Sequence, residues 1–186
     1  MRALPDKFVK KTTITQKLRE EISNSTSFFK KEEISYLEIG CDICMTILSL
    51  EDSFTRILGV DIDPERINES KRQIEKFGVK EGKITLLLGS SDDIPKDYYD
   101  VVLIDANHNY EYVKRDYENV LRSNMSNKFV VFFHDYGLSN AGVKKFVKDT
   151  FKENEIKFCG VKDEWNPFGS PIDDWEAVYV IHDSKI

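Results

Sequence analysis

Apolar runs and amphipathic stretches alternate along nearly the whole chain, the pattern of a parallel sheet covered by helices on both faces. Strands are predicted at 34–39 (ISYLEI), 56–61 (RILGVD), 83–88 (KITLLL), 99–104 (YDVVLI) and 129–133 (FVVFF). These runs are short and largely continuous, as strands buried on both faces should be. The spacing predicts helices over 64–77, 110–125 and 142–151. The first of these begins with Asp63 as a potential cap and Pro64 in the first turn, and stops at Gly78. Beyond the fifth strand the rhythm changes. Residues 155–161 and 176–182 read as two strands joined by a 14-residue segment rich in Asp, Pro, Gly and Trp. No helix separates them, so they must pair antiparallel and end the sheet in a hairpin. Ile14, Leu18, Ile22 and Phe28 fall at roughly helical spacing, which predicts one leading helix and a linker over 1–33 ahead of an α/β domain at 34–186. The expected architecture is a single Rossmann-like domain with parallel order 3-2-1-4-5 and an antiparallel C-terminal hairpin. No internal repeat is visible.

A length of 186 residues agrees with one domain, and 22 aromatic residues exclude a disordered chain. The net charge of −6 argues against a broad duplex-nucleic-acid or anionic-membrane surface. Cys41, Cys44 and Cys159 are odd in number and follow a polar start without a secretory apolar stretch, so reduced thiols and a cytoplasmic location are expected. Cys41 and Cys44 have the spacing of a redox or zinc pair, but no second pair completes a tetrahedral set. No apolar run approaches a membrane span.

The first strand ends in Leu37-Glu38-Ile39-Gly40, and a glycine at such a turn lets a ligand approach backbone N–H groups. Asp61 closes the second strand 21 residues later, where a carboxylate can accept hydrogen bonds from both ribose hydroxyls. Its alternative role is to cap the following helix. A dinucleotide fingerprint would need glycines where Asp42 and Met45 stand, which disfavours a pyrophosphate and a nicotinamide cofactor. Asp105 and Asp135 end the fourth and fifth strands. On adjacent strands roughly 4.8 Å apart they would point into one crevice and could chelate a hard cation such as magnesium. As an alternative they are turn residues. Tyr110, Tyr112, Tyr117, Phe132 and Phe133 read as packing, and Lys144-Lys145 as a solvated helix face.

The segments YLEIG, GVDIDPERI, LLGSSDDIP, YDVVLIDANHNYEYVKRDYENVL and FFHDYG together resemble class I S-adenosylmethionine-dependent methyltransferases over about residues 34–150. The nearest likeness is to small O-methyltransferases, which include catechol-type enzymes and relatives acting on sugars and antibiotics. The resemblance implies that Glu38 and Gly40 surround the methionine part of the cofactor, with Thr46 where relatives often have Ser or Thr, that Asp61 holds the ribose, and that Ser90 with Ser91 or Asp92 lies by the adenine. It implies transfer of a methyl group to a hydroxyl oxygen, with Asp105 and Asp135 on Mg²⁺ and His108 as general base. The acceptor pocket would draw on the loop 162–174 with Trp165 and Phe168, and on Trp175. The chain departs from the family pattern at Cys44 and Ser90, where a glycine and an Asp are usual, and at Ser126-Asn127, where a Gly-Gly turn is usual. Tyr136 takes the place of an Asn metal ligand. His134 could substitute there, although strand alternation would point it away from Asp135. The expected partner is a small-molecule hydroxyl acceptor, with no nucleic acid and no membrane; a homo-oligomer is left open. The rival reading is a non-catalytic binding or scaffold module with a degraded cofactor loop.

Overall fold

The computed structural model describes residues 14–139, 141–163 and 174–184. Seven strands form one sheet: β1 (Ser35–Ile39), β2 (Arg56–Asp61), β3 (Ile84–Leu88), β4 (Val101–Ile104), β5 (Lys128–His134), β6 (Lys157–Lys162) and β7 (Trp175–Asp183). Their order is β3-β2-β1-β4-β5-β7-β6, with the first five parallel. The hairpin expected at the C-terminus is present, and its second strand rather than its first lies beside β5, antiparallel. Among the described residues five α-helices surround the sheet: α1 (Gln16–Asn24), α2 (Met45–Leu50), α3 (Pro64–Phe77), α4 (Tyr110–Ser123) and α5 (Val143–Thr150).

Strand alternation splits each apolar run between two layers, which explains why the runs are continuous. Leu37, Ile39, Leu58, Val60, Val102 and Phe133 face α4 and α5, where Val113, Tyr117, Val120 and Phe146 complete the layer. Tyr36, Ile57, Val101, Leu103, Val130 and Phe132 face the other way and pack with Ile67 of α3, Ile47 of α2 and Leu18 and Ile22 of α1. The leading helix thus belongs to the main core.

Helix boundaries follow local chemistry. Asp63 accepts from the N–H groups of Glu65 and Arg66 to start α3, and Gly78 ends it at φ 64°. Helix α4 stops at Ser123 rather than 125 because Asn124 turns extended. Its side chain bonds both backbone groups of Tyr99, at 3.0 Å and 2.9 Å, which also keeps residue 99 out of β4. Among the described residues no helix is long and apolar enough to cross a membrane.

Candidate active site

The end of β1 builds one wall of a cleft at the carboxyl edge of the parallel strands. Gly40 has φ 86°, and a Cβ there would sit 2.3 Å from the carbonyl oxygen of Asp105. Only glycine fits between β1 and β4. The following loop keeps the same economy of space, since Cys44, in the place of the family's usual glycine, takes the left-handed conformation at φ 63°. All three cysteines are buried and free. A hydrogen bond with Cys44 and burial push the Cys41 thiol far above its ordinary range, which removes thiolate chemistry at Cys41.

Asp61 is held ready rather than consumed. Its Oδ2 accepts from the Asp42 N–H at 2.9 Å and its Oδ1 from the Asp63 N–H at 2.9 Å, while the cap of α3 is Asp63. The cavity beside it has a volume of about 540 Å³, and Gly40, Asp61, Ser90, Ser91 and Asp105 line it. That volume is in the range of small-molecule sites.

Two expected cofactor residues stand elsewhere. Neither Glu38 nor Thr46 reaches the cavity wall among the described residues. Pleat alternation turns Ile39 and Val60 toward the cavity and Glu38 to the opposite face, where the Tyr36 hydroxyl donates to it at 2.7 Å. Burial holds the Glu38 carboxyl well above the usual range. Asp92 lies just outside the wall, in an ion pair with Arg115. Sequence reasoning missed Tyr112, Arg115 and Asp116, which also line the cavity. The signal was there in the spacing, because positions i, i+3 and i+4 of a helix share a face.

At the other end of the cleft, Asp105, His108, His134 and Asp135 meet. His108 Nε2 lies 2.6 Å from Asp135 Oδ2, and the His108 side chain remains 42% exposed. His134 is buried, with Nδ1 at 2.7 Å from Asp105 Oδ1 and 3.3 Å from Asp135 Oδ2. Alternation would send His134 and Asp135 to opposite faces, but the pleat ends at His134. Asp135 takes φ 58°, which turns its carboxyl back toward the imidazole. The loop carrying His108 is pinned from outside the site, because the Gly142 N–H donates to the His108 carbonyl at 2.6 Å.

Electrostatics follow from this packing. Burial alone would lower the pKa of His134, but the carboxylates of Asp105 and Asp135 raise it well above the imidazole range. Burial raises that of Asp135, yet the two imidazoles pull it below the usual carboxylate range overall. Asp105 is held above that range by burial, partly offset by His134. The bond to Asp135 raises His108.

The magnesium site expected from the sequence does not fit as an all-oxygen centre. Each carboxylate already faces an imidazole, and Tyr136 is buried, with its ring against Phe158 and under the Lys144 ammonium. Ligand atoms of Asp105, His108 and Asp135 do lie within 4.8 Å of one another. That mixed nitrogen and oxygen set suits a borderline transition ion better than magnesium. Trp165 and Phe168 lie outside the described residues. Trp175 stacks on Phe158, with ring centroids 6.1 Å apart.

A family model described as a methyltransferase domain matches residues 37–136, more than half of the chain. No curated protein matches. Among solved structures, a precorrin-6y C5,15-methyltransferase from Geobacter metallireducens GS-15 superposes with a TM-score of 0.61 at 16% identity, covering 96% of each chain. An rRNA methylase from Streptococcus thermophilus gives 0.61 at 8% identity, over 90% of this chain and 96% of its own. The magnesium protoporphyrin IX methyltransferase of Synechocystis PCC 6803, solved with bound S-adenosylmethionine, gives 0.61 at 10% identity, over 89% and 78%. At such identities the superpositions speak for the fold, and the fold agrees with a cleft whose glycine turn and strand-end Asp61 suit a nucleoside ligand. The chain therefore belongs to the methyltransferase-domain family, and its fold is that of the class I S-adenosylmethionine-dependent methyltransferases.

Proposed function

We propose that this protein transfers the methyl group of S-adenosylmethionine to a hydroxyl oxygen of a small molecule or sugar, with His108 as general base. The observation that carries the reading is the 2.6 Å contact of His108 Nε2 with Asp135 Oδ2 in a partly exposed loop beside the Asp105 end of the cavity. A carboxylate on Nε2 fixes the tautomer with its proton there, leaving the Nδ1 lone pair to accept the proton of an acceptor hydroxyl. When bound, the cofactor supplies an electrophilic methyl group on a sulfonium centre. Gly40 admits it against the backbone, and Asp61 offers two oriented carboxylate oxygens for the ribose. Alignment of hydroxyl and methyl group by this frame supplies much of the rate.

The test incubates the protein with S-adenosylmethionine tritiated in the methyl group and a panel of phenols, catechols, aliphatic alcohols and glycosides. Label should pass to oxygen in one class, and His108→Gln should reduce the rate roughly 10²–10⁴-fold. Absence of label in every class, with no binding of the cofactor product S-adenosylhomocysteine, would return the chain to the scaffold reading. A second reading rests on the clustering of Asp105, His108 and Asp135, which would hold a divalent cation to acidify the hydroxyl. Rapid loss of label transfer in EDTA, restored by manganese or zinc, would favour that reading over the base.

A further inference from the structure

We infer that His134 is a positioning residue for the proposed transfer: its Nδ1–H spans the Asp105 and Asp135 carboxylates, takes the place between them expected for a metal ion, and holds Asp135 against His108. What it positions depends on the general-base reading above; the place it fills does not.

Strand register brings the ring there. Ile104 of β4 pairs with Phe133 of β5, so the next residues along both strands, Asp105 and His134, come side by side at the carboxyl edge. His134 is still part of β5 and pairs on its other flank with Ala177 of β7, which fixes its backbone from two sides. The imidazole is buried. Its Nδ1 lies 2.7 Å from Asp105 Oδ1 and 3.3 Å from Asp135 Oδ2, and its Nε2 lies 3.7 Å from Oε1 of the buried Glu176 on β7. Carboxylates therefore face both edges of the ring.

The chemistry of the donors and acceptors sets the role. Carboxylate oxygens accept, so the proton on Nδ1 points between Asp105 and Asp135. An ion bridging the same two oxygens would sit where that proton points. Asp135 Oδ2 also faces His108 Nε2 at 2.6 Å, so two imidazoles converge on one oxygen. Their hold accounts for the backbone of Asp135, whose φ of 58° is a conformation that a non-glycine residue keeps only where its surroundings fix it. Without the His134 donor, the Asp135 carboxyl would lose one of the two contacts that set its direction. The alignment of His108 toward an acceptor hydroxyl would go with it.

Metal occupancy and turnover test the two halves separately. EDTA-treated wild-type protein is titrated with Mn²⁺ and followed by electron paramagnetic resonance, with Asp135→Asn as the control. No saturable site that the control lacks should appear below about 1 mM. Such a site would overturn the inference, because the ion and the His134 N–H cannot both hold these oxygens. The turnover arm uses an acceptor found in the labelled panel. His134→Leu fills the volume without a donor, and its kcat should fall about 10–100-fold while KM for S-adenosylmethionine stays within about threefold. His134→Asn keeps an N–H near the place of Nδ1 and should hold kcat within about fivefold of the wild type. A wild-type kcat in His134→Leu, a loss confined to KM, or a larger loss of kcat in His134→Asn would each overturn the positioning role. Should His134→Leu fail to fold, the His134→Asn rate and the manganese titration still decide. If no acceptor were methylated at all, the transferase reading would fall, and the manganese titration alone would decide whether His134 fills the place of the ion.

Discussion

His108 is the residue on which the chemistry turns, and its environment sets a pH dependence with a definite sign. The bond to Asp135 raises its pKa above the ordinary value of about 6.5. Only the neutral ring accepts a proton, so methyl transfer should increase with pH through a midpoint above 6.5. Initial rates of label transfer between pH 5.5 and 9 check this; a midpoint at or below 6.5, or the same profile in His108→Gln, would remove His108 from the proton path. Asp61 makes a complementary case at the cofactor. Because Asp63 rather than Asp61 caps α3, Asp61→Ala should leave the helix in place. It should weaken S-adenosylhomocysteine binding by about 1.5–3 kcal/mol through loss of a charged acceptor for the ribose. Titration calorimetry on a variant with a native circular dichroism spectrum reads this directly.

At the scale of elements, the leading helix is tied to the far end of the sheet by a buried carboxyl. Glu176 on β7 is fully buried and accepts three hydrogen bonds: the Thr15 N–H at 2.8 Å, the Thr15 hydroxyl at 2.6 Å and the Val161 N–H at 3.1 Å. Thr15 is itself the cap of α1 and accepts from the Leu18 N–H at 3.2 Å. One hydroxyl therefore starts the helix and anchors it. Thr15→Val keeps the shape but removes the hydroxyl's cap and anchor together, leaving the Leu18 N–H without its cap and Glu176 with one donor fewer. The variant should lose about 1–3 kcal/mol of unfolding free energy, measured in urea, with amide exchange accelerated first in α1. Uniform acceleration across the sheet would show that α1 is not a separable element. Glycine does comparable work at the start of α5. A Cβ on Gly142 would lie 2.1 Å from the Tyr110 nitrogen, so the loop holding His108 can approach α5 only because no side chain stands between them.

For the whole molecule, the buried charges at the sheet's carboxyl edge govern stability against pH. His134 has a folded pKa well above its unfolded value, so its contribution is complete below about pH 6.5 and is lost as pH rises through the folded value. Asp135 acts in the opposite sense. Its folded pKa is depressed, so its contribution is present above about pH 4 and lost as pH falls toward the folded value. Between about pH 4 and 6.5 the contributions of His134 and Asp135 are both present, and unfolding free energy should decline on the alkaline side as His134 loses the proton that faces Asp105 and Asp135. Urea unfolding at several pH values from 6 to 9 should show that decline in the wild-type protein and a flatter dependence in His134→Gln. An identical slope in both would assign the pH dependence to other groups.

Local patterns in the chain carried the sheet, α3 and the terminal hairpin, because hydrophobic period, caps and the absence of a crossover helix act over a few residues at a time. They also carried Gly40 and Asp61, since a strand-end position is a local property with a site consequence in this topology. The acid–base cluster was only half legible. Asp105, His108 and Asp135 were found by position, but the turn of Asp135 to φ 58° brought His134 onto the same carboxylates, against the alternation that a continuing strand would impose. Glu38 went the other way, onto the face of Tyr36, and left the cavity wall to residues of α4. Partners drawn from separate elements, such as Ser91 with Asp116 or Thr15 with Glu176, are 25 and 161 positions apart. No periodicity spans such distances; packing of the helices on the sheet set those contacts.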